Sequence, residues 1–337
     1  MTTIRDVAKL ANVSTATVSR IINGKGEASP ETIKRVNKVI KEVGYRPNSL
    51  AKSLSKRDSN LIALIIPTLN NPFFPELVQA IEAAASKYGY SLYLCNSEDQ
   101  RLKVEYYLDS IVDHYACGAI INSLHVNEED LKRLEERGIP TITIDRTQFS
   151  HPYSAVGVNH KDGGYQAVTH LVKNNNCKKI VFLSGPDGEK SSLDRLEGYR
   201  EALKENKITD FEKIVYGNFE TISGYEAINE LIKKGCTFDA IFSSNDAMAF
   251  GAIRACIDAG LQVPEEVKII GYDNVLLSSY FYPKLTTVSQ HKSRIGELTI
   301  KELDRLINQP NSKPRKYNIS PDLIVRESSN NRSVKNE

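Results

Sequence analysis

Tryptophan is absent from this 337-residue chain, so no intrinsic indole signal is available to report a binding event. Cysteine is sparse. The five residues Cys95, Cys117, Cys177, Cys236 and Cys256 are odd in number and scattered. That argues against a disulfide framework or a zinc site and for small core residues in a reducing compartment. No charged-then-apolar leader precedes Ile4, and no apolar run approaches the ~20 residues that span a bilayer, so the expectation is a soluble, cytoplasmic protein. Enzyme signatures are also missing. There is no phosphate loop, no nicotinamide-type glycine fingerprint and no metal-spaced histidine cluster. His114, His125, His151, His160, His170 and His291 lie apart from any serine or cysteine elbow. "DGG" at 162–164 is only a loop-to-helix signal. The expectation is no catalytic residue, no metal and no cofactor.

Acidic residues are scarce in one place. Residues 1–57 carry twelve Lys and Arg against four Asp and Glu, a balance of +8 that leaves the remaining 280 residues at −6. Such asymmetry is the footprint of a nucleic-acid-binding module joined to an unrelated body, with a merely solvated basic face as the alternative.

Within that basic segment, caps and spacing predict three short helices. In "TIRDVAKLA", Thr3 caps a helix with Asp6 in its first turn, near the positive end of the dipole. Ser14 caps the next helix. Ser29 caps a third, with Pro30 at its first position and Ile33, Val36, Ile40 and Val43 on one face, ending at Gly44. In "STATVSRII" the apolar Val18, Ile21 and Ile22 point one way, while small hydroxyls and Arg20 point the other with no acid among them. Two helices joined by a tight turn with a third behind them suit a helix-turn-helix, whose second helix enters the DNA major groove. Thr15, Ala16, Thr17 and Arg20 then face the groove, where Arg20 can fork onto guanine O6 and N7. By spacing alone, an ordinary three-helix bundle end fits too.

"TIRDVAKLANVSTATVSRIING" followed by "YRPNSLAKSL" resembles the DNA-binding headpiece of the lactose-repressor (LacI/GalR) family of bacterial transcription regulators, and the likeness runs to about residue 330. Taken with the helix reading, it gives an expected DNA-binding set of Thr3, Ser14, Thr15, Ala16, Thr17, Ser19, Arg20, Asn23, Asn48 and Leu54. "NSLAKSLSK" is too short to be a stable helix alone. In the family this segment is a hinge helix, paired across a dimer in the minor groove with a leucine wedged into the central base step. Leu54 is the matching residue here, and such a wedge couples order in the hinge to bending of the duplex.

From Leu61 the pattern changes to apolar runs alternating with amphipathic stretches. "LIALIIP", "YSLYLCN", "CGAII" and "PTITID" read as strands, with helices near 75–88, 101–115 and 128–137. A second series, "KKIVFLSG", "KIVYGN", "FDAIFSS" and "EVKIIGYD", has helices near 192–206, 221–234 and 247–259. The expected fold is therefore an all-α helix-turn-helix headpiece plus an α/β body of two doubly wound parallel-sheet lobes, like a periplasmic binding protein. The expected divisions are a headpiece at 1–46 and a hinge at 47–58. The N-terminal lobe is expected at 59–160 with 291–320, the C-terminal lobe at 161–290 with 321–330, and a disordered tail at 331–337.

Ligands of such sheets bind outside the carboxyl ends of the strands, and polar residues collect there: "TLNNPFF", Asp145-Arg146, "SLDRLEGY", Phe219, "SSND", "IGYDN" and "VSQHK". Acids, amides and an arginine beside aromatic faces suit a sugar. Phe73 and Phe74 also fit as core aromatics, and Asn245-Asp246 as a helix cap. The body resembles both the family's effector domain and the periplasmic ribose-binding proteins. Ribose contacts carry over to Asn71, Phe73, Phe74, Asp145, Arg146, Arg195, Phe219, Asn245, Asp273 and Gln290.

The resemblance implies a homodimeric repressor of a ribose-utilisation operon, on the bacterial nucleoid when bound to a pseudopalindromic operator, and released by D-ribose. Alternatives are a regulator answering to a small co-repressor or to a phosphorylated carrier protein, and a sugar transport receptor. A sugar kinase or hydrolase with an added DNA-binding head is a formal further alternative. "RESSNNRSVKNE" lacks a leucine heptad, which argues against a tetramer.

Overall fold

The computed structural model describes residues 2–22, 28–45, 59–145, 149, 152–208 and 210–330. Met1–Ser59 and Asn60–Glu337 form separate compact units.

The first unit holds α1 (Ile4–Leu10), α2 (Thr15–Ile22) and α3 (Pro30–Glu42). Thr3 and Asp6 close a reciprocal capping box on α1, and Ser29 accepts from the Thr32 N–H at the start of α3 with Pro30 in its first turn. These contacts satisfy N–H groups that no helical carbonyl can reach. Val7, Ala8, Ala11, Val18, Val36 and Val39 form a small core, flanked by Ile4, Ile21, Ile22, Ile40 and Val43. Arg35 Nε donates to the Ala11 carbonyl at 3.0 Å, pinning α3 to the end of α1. Val39 joins this core, whereas Ile33 is only half-buried.

In the second unit the chain runs β1 (Leu61–Ile66), α4 (Phe73–Lys87), β2 (Ser91–Asn96), α5 (Arg101–Asp113), β3 (Gly118–Ile121), α6 (Glu128–Glu136), β4 (Thr141–Ile144) and β5 (Ser154–Val158). It continues with α7 (His160–Lys173), β6 (Ile180–Ser184), α8 (Lys190–Glu205), β7 (Lys213–Tyr216), α9 (Thr221–Lys233), β8 (Ala240–Ser243), α10 (Asp246–Asp258) and β9 (Lys268–Asp273). After β10 (Thr286–Ser289) come α11 (Lys292–Asn308), β11 (Lys316–Ile319) and β12 (Asp322–Ile324).

The strands make two six-stranded sheets, ordered β11-β5-β4-β3-β1-β2 and β12-β10-β9-β8-β6-β7. Every pairing is parallel except β10 with β12. The central strands are buried on both faces and read as continuous apolar runs, as in "LIALII" and "IVFLS". Between β5 and α7, between β10 and α11, and between β11 and β12 the chain passes from one sheet to the other. The strand ends beside these passages face a common cleft.

Four strands, β5, β10, β11 and β12, and two helices, α7 and α11, stand outside the series expected from sequence. All belong to the passages between sheets. No helix among the described residues is long and apolar enough to cross a membrane.

Candidate functional site

In the first unit, the surface of α2 has the polarity read from the sequence. Val18 is fully buried, while Thr15, Ala16 and Arg20 are exposed and Thr17 and Ser19 half-buried. The Ser14 hydroxyl accepts from the Thr17 N–H at 3.1 Å and pairs with the Thr17 hydroxyl at 2.9 Å. Thr3 is engaged in the α1 capping box. These two hydroxyls set helix ends as well as lying on the candidate interface. Asn23, Asn48 and Leu54 lie outside the described residues.

In the second unit, a cavity of about 820 Å³ is lined by Asn71, Phe73, Phe74, Asp145, Arg195, Phe219, Asn245, Asp273 and Gln290. Arg146 lies outside the described residues. Asn71 Oδ1 accepts from the Phe73 N–H at 3.0 Å, turning the chain into α4. Phe73 and Phe74 meet edge to face, with ring centroids 5.3 Å apart. Phe73 also packs in the core, so it is both a core aromatic and part of the cavity wall.

The charged groups of the cavity are buried and anchored. Asp145 has a left-handed backbone at the end of β4, with φ 55°, and its carboxylate accepts from the Val158 N–H at 3.0 Å. Burial works to raise its carboxyl, but the His160 ring, the Val158 N–H and Arg195 outweigh that and hold it below the ordinary range. Arg195 is 4% exposed. Its Nη1 donates to the Ser244 carbonyl at 2.5 Å and its guanidinium lies 3.9 Å from the centre of the Tyr272 ring.

Next to Ser244, Asn245 caps the start of α10. Its Oδ1 accepts from the Met248 N–H at 2.9 Å, and its Nδ2 donates to the Phe219 carbonyl at 2.8 Å. The helix-cap reading of Asn245 therefore holds alongside its place in the cavity wall, with one amide hydrogen left over. Phe219 has φ 69°. Gln290 Nε2 donates to Asp273 Oδ1 at 2.5 Å. Burial raises the Asp273 carboxyl, with Arg195 opposing and Asp246 adding to the rise.

Asp246, which the sequence reading left as a helix cap, is wholly buried behind Asp273. It accepts from the Val275 N–H at 2.9 Å, the Ser278 hydroxyl at 2.7 Å and the Thr287 hydroxyl at 2.5 Å. Lys292, the first residue of α11, donates across the lobes to the Asp273 and Asn274 carbonyls at 2.8 Å and forms an ion pair of 3.2 Å with Glu76 of α4 on its own lobe. His160 was also missed as a wall residue. The only local signal for it was a polar "NH" after the apolar "AVGV".

Three buried polar atoms of the cavity-lining residues have no hydrogen-bond partner among the described residues: Arg195 Nε, Gln290 Oε1 and His160 Nε2. Buried polar groups are rarely left so. The set contains both donors and acceptors, which suits a polyhydroxylated ligand whose groups do both.

Comparison with known proteins finds one family match within each of the two units. Residues 3–48 match the model of bacterial regulatory proteins of the lacI family, and residues 168–329 that of the periplasmic binding protein-like domain. The ribose operon repressor of Halalkalibacterium halodurans is 36% identical over 97% of this chain and 97% of its own length. The HTH-type transcriptional repressor PurR of Histophilus somni is 34% identical, over 97% of this chain and 99% of its own. Among solved structures, the lac repressor dimer bound to operator and the anti-inducer ONPF superposes with a TM-score of 0.87 at 27% identity, covering 97% of this chain and 99% of that one. A LacI family transcriptional regulator from Enterococcus faecium with bound ribose gives 0.73 at 28% identity, covering 80% of this chain and 98% of that one.

Proposed function

The chain belongs to the lacI family of bacterial regulatory proteins, as a DNA-binding transcriptional repressor and not an enzyme, and from that premise we propose that D-ribose is its effector, bound between the lobes to release the operator. One observation carries the reading: the expected sugar contacts, Arg146 aside, line a single cavity. Asp145 and Asp273 accept from hydroxyls, Arg195 and Asn245 donate to them, and Phe73, Phe74 and Phe219 cover the C–H face of a sugar ring. The ribose operon repressor and the ribose-bound regulator among its relatives support the same choice.

Operator recognition is assigned to the exposed face of α2 in two headpieces of a homodimer. Arg20 reads base edges, and the lysines and arginines of residues 1–57 supply the salt-dependent phosphate affinity. Asn23, Asn48 and Leu54 belong to this proposal through the family resemblance. The lac repressor dimer on its operator supports the dimeric arrangement. Ribose favours a body conformation that holds the hinge segments apart, and by linkage operator DNA weakens ribose binding by the same factor.

A second reading takes the cleft as a purine site acting with the opposite sign, as a co-repressor; the PurR relatives favour it. Calorimetric titration of the full-length protein with D-ribose, ribose 5-phosphate, guanine and hypoxanthine separates the two. Ribose binding without purine binding supports the first. Purine binding without ribose binding replaces it with the second.

A further inference from the structure

We propose that His160 is a ligand-binding residue of the cleft: its Nε2–H donates to one ligand hydroxyl, and that same hydroxyl donates to Asp145. The inference rests on the sugar reading above and names a contact that the family resemblance did not supply.

His160 is the first residue of α7, where the chain enters the second lobe, and it is 5% exposed in the cavity wall. Its Nδ1 lies 3.3 Å from Arg195 Nη2 and 3.1 Å from the Tyr272 hydroxyl. A guanidinium has no acceptor, so the Arg195 contact requires Nδ1 to accept. The ring proton is then on Nε2. That atom has no hydrogen-bond partner among the described residues; it lies 3.4 Å from Asp145 Oδ1, outside hydrogen-bonding geometry. A buried N–H in the wall of a polar cavity, with only a carboxylate oxygen beside it at a distance and angle short of a hydrogen bond, is a prepared donor.

Close packing fixes the ring in this pose. A Cβ added at Gly163 would fall 2.5 Å from the Tyr272 hydroxyl, and one at Gly164 would fall 2.4 Å from the Arg195 carbonyl oxygen. Only glycines allow α7 to lie this close to β9 and α8, which gives the "DGG" stretch its physical reason. His160 Nε2–H and the Asp145 carboxylate, one a donor and the other an acceptor, then face the cleft side by side. A hydroxyl accepts from one and donates to the other, satisfying both.

The test measures D-ribose affinity of the full-length protein by calorimetry for wild type, His160→Asn and His160→Gln, with 2-deoxy-, 3-deoxy- and 5-deoxy-D-ribose as further probes. In His160→Asn the amide oxygen can accept from Arg195 in place of Nδ1, but the outer donor is gone. His160→Gln carries an N–H further out. The expected result is about a tenfold loss of ribose affinity in His160→Asn, partly restored in His160→Gln. One deoxy sugar should bind wild type about a hundredfold more weakly than ribose does, because it loses the bonds to both His160 and Asp145. This penalty should shrink to about tenfold in His160→Asn, where only the bond to Asp145 is left to lose. A merely structural role would weaken every sugar equally and leave each deoxy penalty intact; that result, or unchanged ribose affinity in His160→Asn, overturns the inference alone. Failure of wild type to bind ribose overturns the sugar reading and this contact with it.

Discussion

Gln290 and Asp273 are joined by a 2.5 Å hydrogen bond at the carboxyl ends of neighbouring strands, one residue beyond the point where Ser289 of β10 stands in register with Asp273 of β9. Gln290 also begins the passage of the chain into α11 and the other lobe. A ligand held by this carboxylate therefore touches both the end of a sheet and a joint between lobes.

Asp273→Asn keeps the shape of the side chain and replaces a buried carboxyl, raised to about 8, by an amide with a single acceptor oxygen. A hydrogen bond between uncharged groups contributes about 0.5–1.5 kcal/mol, so ribose affinity should fall by about 2- to 12-fold. Calorimetric titration checks this, and an unchanged dissociation constant would remove Asp273 from the binding set.

Stability should fall with rising pH. Burial pushes Asp246 up to about 6 and Asp273 up to about 8. Between the ordinary carboxylate value and these raised ones the folded chain holds protons that the unfolded chain has released. The contribution is full below about pH 4 and is lost as pH rises towards 8. Thermal melting of the ligand-free protein should show a downward slope of Tm across that window, shallower in Asp273→Asn. A slope equal in both proteins would contradict the assignment.

Arg20→Ala removes the exposed guanidinium of α2. A bidentate base contact discriminates by about 1–3 kcal/mol, so operator affinity should drop about 5- to 150-fold, with relaxed preference at one base pair of each half-site. Anisotropy of labelled duplexes carrying single base-pair changes checks this; an unaltered preference would mean that Arg20 reads no base.

Leu54→Ala should weaken operator binding at least several-fold, because the unstacked central step would lose its apolar filler, while ribose affinity stays within about twofold. Equal operator affinity in variant and wild type would exclude a wedge at Leu54.

The parts legible in the sequence are those set by neighbours in the chain. Thr3, Ser14 and Ser29 cap their helices because a hydroxyl reaches an N–H three residues on, and "LIALII" reads as a buried parallel strand from its composition alone. By contrast, β10 is fully buried although half of "TTVS" is threonine. Its Thr286 and Thr287 hydroxyls are satisfied by Arg326, Ser329 and Asp246, some forty residues away. In the cleft, residues at strand ends were recognisable by position. His160 was not, because its neighbours Arg195 and Tyr272 are 35 and 112 residues distant.

The central claim is that a pentose in the body controls the headpiece. The direct measurement is anisotropy of a labelled pseudopalindromic duplex titrated with the full-length protein at fixed salt, with and without D-ribose. The chain has no tryptophan, so the signal comes from the DNA. The account predicts tight binding that ribose weakens about tenfold or more, with ribose 5-phosphate and glucose without effect. Tight operator binding that ribose leaves unchanged would contradict it.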